Sequence, residues 1–261
     1  MKPFAESIDH KIQHGLIAFL DILGYKSIIQ NNDLRETICV VKQIEGAIGK
    51  AVNRRKETEG FLDNPICKQI VFSDSILVHT VPSAPNPQTF VPNWQHMQIS
   101  VFIEFSIDLL NRLLSAGLPV RGALAYGDTY VDTQTPEKIA LAGKPIVEAY
   151  EWANCLELSG CVLAPSAEAY LIAERVLDIS SDHHLGFINY AVPMKPNCDR
   201  KKKFMLDQGS VYRHYREGNN WPDISRQMIY ERFAAHNKPI DVKAQSIIDN
   251  TLEFLEVCST V

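Results

Sequence analysis

The chain has 261 residues, 46% of them hydrophobic, enough for one large core and pointing to one principal domain with an appendage. Twenty-six basic against 31 acidic residues give a net charge of −5, which excludes the global basic field that drives sequence-independent nucleic-acid binding. The opening MKPFAESIDHKIQ has no apolar run and no window approaches about 18 uncharged apolar residues, so neither secretion nor a membrane span is expected and the chain reads as cytoplasmic. Gly15 to Leu20 reads as a short buried strand closed by Asp21, and residues 33–52 carry apolar positions at helical spacing. Ile66 to Thr80 reads as two β-rich runs broken at Phe72-Ser73-Asp74-Ser75, a hairpin with its acid at the tip. VPSAPNPQTFVPNW is a loop, Gln95 to Ser115 a long amphipathic helix ended by Gly117, and Val120 to Tyr126 the next strand. That order is β-α-β-β-α-β, the ferredoxin-like α+β arrangement, in which helices cover one face of an antiparallel sheet. Pro145 to Leu158 and Ser166 to Ala173 follow as helices around a short strand at Val162-Leu163. Beyond about residue 186, GFINYAVPMK and KKFMLD read as strands, and 224–236 and 240–257 as helices. The division expected is a core over 1–185 and a segment over 186–261 that completes the sheet and adds a helical extension. The cysteines at 39, 67, 155, 161, 198 and 258 form no C-x-x-C pair and read as reduced packing residues.

A carboxylate directly after a buried run calls for a partner, because burying an unpaired charge is costly. Asp21 ends the first strand and Asp74 lies between the second and third. In this topology the first and third strands are central neighbours, so both acids converge at one sheet edge. Converging carboxylates raise each other's pKa unless a cation lies between them. Their hard oxygens suit Mg²⁺ or Mn²⁺, and Mg²⁺ combines one or two carboxylates with substrate phosphates. The turn from Ile22 to Ser27 offers backbone N–H groups at a helix start together with Lys26, so Gly24, Tyr25 and Lys26 form a candidate phosphate cradle. Taken singly, Asp21 also reads as a helix N-cap and Asp74 as a turn residue; two acids set against buried strands at one edge favour the metal. Asp128 reads as a turn residue or a third acid, and His183-His184 as surface. Tyr150 and Trp152 read as base-stacking residues or as packing and dimer contacts.

With these residues in place, the chain resembles the class III nucleotide cyclases, the adenylate and guanylate cyclase catalytic domains. Phe19-Leu20-Asp21-Ile22-Leu23-Gly24-Tyr25 matches their first-strand acid and glycine-aromatic turn, and Phe72-Ser73-Asp74-Ser75 their hairpin acid. Arg121-Gly122-Ala123-Leu124-Ala125-Tyr126-Gly127 matches their arginine-glycine strand, offset by one position at the first glycine, and Gly143 to Ala149 their next helix start. The resemblance covers residues 15–165. It departs where the family brings an Asn and, four residues later, a transition-state Arg, since Glu148 and Trp152 stand there. It departs again where purine enzymes place polar base readers, since Ile70 and Ala140 are apolar. FLDILGYK, VFSDSILV and PVRGALAYGD are most similar to the pyrimidine cyclases, bacterial enzymes that make a cyclic nucleotide as an anti-phage signal read by a separate effector.

The resemblance implies cyclisation of a pyrimidine nucleoside triphosphate, UTP favoured over CTP, to the 3′,5′-cyclic monophosphate and diphosphate. It implies two Mn²⁺ or Mg²⁺ ions held by Asp21, Asp74 and the backbone carbonyl of Ile22, and a homodimer with composite active sites. Arg121 would hold phosphates, the alternative for it being a surface ion pair. The missing cation would come from Lys195 or from Lys201-Lys202-Lys203, of which Lys201 and Lys202 also read as a solvated loop. The alternative function is a catalytically degenerate cyclase-like domain that binds a nucleotide or regulates a partner.

Overall fold

Strand β1 (Ile12–Ile22) is buried on both faces from Leu16 onward, and its period of two sorts the side chains between two cores. Leu16, Ala18, Leu20 and Ile22 enter one core; Ile17 enters the other, with Phe19 and Leu23 packed against it. Asp21 therefore belongs to the face of Ile17 and Phe19. The computed structural model describes residues 12–58, 66–81, 93–135, 138–178, 183–184, 186–196, 198, 202–209 and 225–260. Most of the proline-rich loop and Lys201 lie outside these residues.

A short helix α1 (Tyr25–Asn31) and a long one, α2 (Leu34–Thr58), lead to the hairpin of β2 (Cys67–Phe72) and β3 (Ser75–Thr80). Helix α3 (Trp94–Ser115) then returns the chain to β4 (Val120–Thr135), which pairs with β5 (Lys138–Ala142). Helix α4 (Lys144–Cys155), β6 (Gly160–Leu163) and α5 (Pro165–Ala173) follow. Strands β7 (His183–His184), β8 (Phe187–Ala191) and β9 (Lys202–Leu206) precede helices α6 (Arg226–Ala234) and α7 (Val242–Thr260). Sheet order is β2-β3-β1-β4-β6-β9-β8-β7, with β5 on β4. Its first four strands have the ferredoxin-like order, and the expected central pairing of β1 with β3 is antiparallel, Asp21 standing opposite Ser75.

Helices α2 and α3 bury Val40, Ile44, Phe102 and Leu109 against one face. Helix α4 lays Ala149 and Ala153 on the other, beside Ala123 and Ala125 of β4, where small side chains on both elements let helix and sheet approach closely. Helix α7 is fastened to the start of β6: Ser159 N–H donates to Thr251 Oγ1 at 2.8 Å, and Asn250 Nδ2 to the Glu157 carbonyl at 2.8 Å.

Three expectations change. Strand β4 runs on through Asp128 to Thr135 and pairs with β5, which the sequence reading did not contain. Asp128 is thus a strand residue opposite His14, bonded to it at 2.6 Å, and not a turn residue. The expectation of six reduced cysteines also fails, because Cys155 and Cys198, 43 residues apart with Cα atoms 6.0 Å apart, form a disulfide. The physical reason is local. Pro193 and Lys195 hydrogen-bond to the end of α4, with Glu157 N–H donating to the Pro193 carbonyl at 3.0 Å and Lys195 N–H to the Cys155 carbonyl at 2.9 Å. That seats the two sulfurs side by side, a meeting no local spacing announces.

Mass spectrometry of protein alkylated without reductant is expected to find the Cys155–Cys198 peptides linked. In the chain-entropy picture, closing 43 residues stabilises by about 4 kcal/mol. Added dithiothreitol should then lower the thermal midpoint by about 5–10 °C; an unchanged midpoint would remove the bridge from the stability of the fold.

Candidate active site

Asp21 and Arg121 are register partners on β1 and β4, both on the α4 side of the sheet. Arg121 donates Nε to Asp21 Oδ2 at 2.9 Å, with Nη2 also 2.9 Å from that oxygen. Nη2 donates again to Asn154 Oδ1 at 2.9 Å. The guanidinium is thus held flat between a strand carboxylate and the last turn of α4. With side-chain exposures of 18% and 19%, the pair is no surface ion pair of the kind worth almost nothing.

The hairpin acid arrives from the other side. Ser73 adopts a left-handed φ of 53° at the β2–β3 turn, and the Asp74 carbonyl accepts the Ile22 N–H at 2.9 Å. The main chains of the two acids are therefore fastened together one residue beyond Asp21. Oδ2 of Asp21 is taken by Arg121, while Oδ1 of Asp21 and the whole carboxylate of Asp74 have no hydrogen-bond or ion-pair partner among the described residues. Burial pushes the Asp21 carboxyl above its ordinary value; Arg121 opposes this, the Asp74 charge adds to it, and Lys195 opposes it more weakly. Lys195 is itself drawn below its ordinary value by burial, then by the neighbouring Arg121 and Lys243, against Glu157 and Asp21, which favour its charge. The structure therefore brings together Asp21, Asp74 and Arg121, with the charge of Lys195 near enough to act weakly on Asp21.

The turn after Asp21 is held from beneath. Leu23 N–H donates to the Pro119 carbonyl at 2.9 Å, and Gly24, at φ 77°, starts α1 with no side-chain cap. A left-handed residue there favours glycine. Tyr25 packs against the helix-side core, and Lys26 is exposed.

Other expected residues lie elsewhere. Asp128 is seven residues from Asp21 along the β1–β4 ladder, far from the acids. Glu148 Oε1 accepts the Ser166 N–H at 3.1 Å at the start of α5. The Trp152 ring lies under the Lys203 ammonium, 5.0 Å from its centroid, and Lys203 also pairs with Glu168 at 3.3 Å. Lys203 is thus engaged with Trp152 and Glu168. Tyr150 is exposed and meets Phe19 edge-on at 5.5 Å. Ile70 is buried and Ala140 exposed. Asn154 was missed by sequence reasoning, since only the docking of α4 on β4 makes it a neighbour of Arg121.

A metal fits this donor set. Two carboxylates carrying three oxygens without protein partners, beside a backbone carbonyl at Ile22, form a hard, anionic group suited to Mg²⁺ or Mn²⁺.

No protein-family model matches the chain, and no curated protein does. Among solved structures, the guanylyl cyclase domain of a fusion protein from the aquatic fungus Blastocladiella emersonii is 11% identical, with 75% of this chain and 96% of that one covered at a TM-score of 0.50. An adenylyl cyclase from P. aeruginosa is 10% identical, with 75% and 95% covered at 0.48. A guanylate cyclase domain from Catenaria anguillulae, solved with GTP, is 10% identical, with 75% and 97% covered at 0.46. The first of these carries the comparison and establishes the fold: an α+β cyclase core.

Proposed function

We propose that the chain is a nucleotidyl cyclase that converts a pyrimidine nucleoside triphosphate, UTP before CTP, to its 3′,5′-cyclic monophosphate and diphosphate. The observation that carries this reading is the pair of acids joined through the Ile22–Asp74 hydrogen bond, with carboxylate oxygens left over, Arg121 bonded to Asp21 and the charge of Lys195 acting weakly on it. Asp21, Asp74 and the Ile22 carbonyl would hold two Mn²⁺ or Mg²⁺ ions. Bound there, such ions supply Lewis acidity that lowers the pKa of the ribose 3′-hydroxyl and neutralises triphosphate charge.

The chain's own residues bind and orient. Gly24, Tyr25 and Lys26 receive the triphosphate at the turn, and Arg121 and Lys195 hold its oxygens, Arg121 from a guanidinium already fixed by Asp21 and Asn154. The product would act as a second messenger on a separate effector in antiviral defence, in keeping with the pyrimidine-cyclase resemblance. The exposed Phe72 and Tyr150 fit a homodimer with composite sites, in which the partner completes the nucleotide pocket.

The pyrimidine preference rests on Ile70 and Ala140, of which Ile70 is buried and Ala140 exposed, so Ile70 carries most of it. A buried apolar side chain there cannot pair with a purine edge, and each unmet polar group costs about 1–3 kcal/mol on burial. With Mn²⁺ and each of the four triphosphates in turn, chromatography is expected to show UTP or CTP cyclised at least about tenfold faster than ATP or GTP. Equal turnover of a purine would overturn the preference. A second reading is favoured by one observation: Glu148 and Trp152, at the positions of the family's transition-state pair, are engaged with Ser166 and Lys203. It is a cyclase-like domain that binds nucleotide without chemistry, and binding without turnover of any triphosphate would establish it.

A further inference from the structure

The turn that follows Asp21 has little to hold it in its own sequence. Helix α1 is seven residues long, lacks a side-chain N-cap and buries only Ile28. A helix this short is marginal without tertiary support. Its support comes from the loop between α6 and α7, more than 200 residues away.

Asn31 Nδ2 donates to the Asn237 carbonyl at 2.9 Å, Asn32 Nδ2 to the His236 carbonyl at 2.8 Å, and Asn237 Nδ2 to Asn32 Oδ1 at 2.9 Å. The same loop grips the chain entering β4. His236 Nε2 lies 2.9 Å from the Ala116 carbonyl, and Lys238 Nζ donates to the Gly117 carbonyl at 2.8 Å. Two left-handed residues, His236 at φ 60° and Asn237 at φ 57°, shape the loop for this grip. Gly117, at φ 76°, leaves room for it, since a Cβ there would stand 2.4 Å from the Ala235 Cβ.

Lys238 joins the two grips. It is only 7% exposed, its stem lies against Gly24, with Cδ 3.0 Å from where a Cβ would be, and its ammonium holds Gly117. Two residues past Gly117, the Pro119 carbonyl takes the Leu23 N–H. One side chain thus fixes the turn twice, directly through Gly24 and indirectly through the strand that carries Arg121. No carboxylate partners the ammonium among the described residues, and burial draws its pKa down to about 8. A lysine kept in such a place, where an apolar side chain would be less costly, calls for a role beyond packing.

We propose that Lys238 is a positioning residue that locks the Gly24 turn, together with Arg121, in the geometry that receives the triphosphate. The proposal rests on the reading that this turn is the phosphate site, and its test separates the two. In the full-length protein without nucleotide, Lys238→Met keeps the stem and removes the ammonium, while Lys238→Arg restores a donor. Amide hydrogen exchange over residues 22–31 is expected to quicken at least about tenfold in Lys238→Met and to recover substantially in Lys238→Arg, while residues 99–114 of α3 are unchanged. With the favoured triphosphate, KM should rise about tenfold in Lys238→Met and kcat change less than about threefold.

Unchanged exchange over 22–31, or an unchanged KM beside quickened exchange, would overturn the proposal. If no triphosphate turns over in the unmodified chain, the cyclase reading fails while the exchange arm still decides whether the loop locks the turn. Should Lys238→Met unfold, Asn237→Gly, which keeps the left-handed backbone and removes the loop's side-chain donor to Asn32 while leaving α1's own Asn32–Ile28 bond, must give the same local exchange and the same KM rise; a null result there overturns the proposal equally.

Discussion

Asp21→Ala and Asp74→Ala are each expected to lower turnover by about 10³-fold or more, with the thermal midpoint unchanged in Asp74→Ala and lowered by about 2–4 °C in Asp21→Ala. As proposed, each acid would supply anionic oxygens at the place where charge develops, and electrostatic contributions of this kind are the largest single ones in catalysis. Asp74 has no side-chain partner among the described residues, so its loss spares the fold, whereas Asp21→Ala leaves the partly buried Arg121 with Asn154 alone. Asp21→Asn is the sharper control, since it keeps the shape and removes the charge. Steady-state rates with the favoured triphosphate, read beside circular-dichroism melting, check the claim. Parent-like turnover in either alanine variant would sink the two-acid reading, and loss of the fold in both would move the acids from chemistry to architecture.

Arg121→Ala is expected to lower kcat/KM by about 10²-fold, equally for every base, because a guanidinium addresses phosphate oxygens. Arg121→Lys should recover little, since an ammonium cannot span Asp21, Asn154 and a phosphate in one plane. A second signature follows from electrostatics. Burial raises the Asp21 carboxyl and Arg121 opposes that rise, so removing the guanidinium should move the acid limb of the pH–activity profile to higher pH. A change confined to base preference, with phosphate affinity intact, would refute the assignment.

The sequence carried the parts of this site that depend on strand order and local chemistry. Two acids directly against buried runs, in a β-α-β-β-α-β order, were sufficient to place Asp21 and Asp74 at one edge, and the Ile22–Asp74 bond is that edge. What it did not carry depends on docking. Asn154 reaches Arg121 only because alanines on α4 let the helix settle on β4. Cys155 meets Cys198 only because Pro193 and Lys195 hydrogen-bond to the end of that helix. Lys195 stands out in VPMKP only as one cation among several; its main chain, tied to Cys155, holds it within electrostatic reach of Asp21 while Lys203 goes to Trp152 and Glu168. Strand β5 was missed because KIALA is too short for its alternation to mark a strand.

The bond from Lys238 to Gly117 spans 121 residues, and those from Asn31 and Asn32 to the same loop span more than 200. On the ribosome, chains emerge from the N-terminus at about 5–20 residues per second, so the strands bearing Asp21, Asp74 and Arg121 leave the tunnel many seconds before the loop that fastens the Gly24 turn. The nascent protein can form its sheet in that interval with the turn still unanchored. Residues 236–238 and helix α7 behind them arrive last, so a chain stalled or cleaved before that loop holds every acidic and basic residue of the site yet would lack both the proposed brace and the helix fastened to β6.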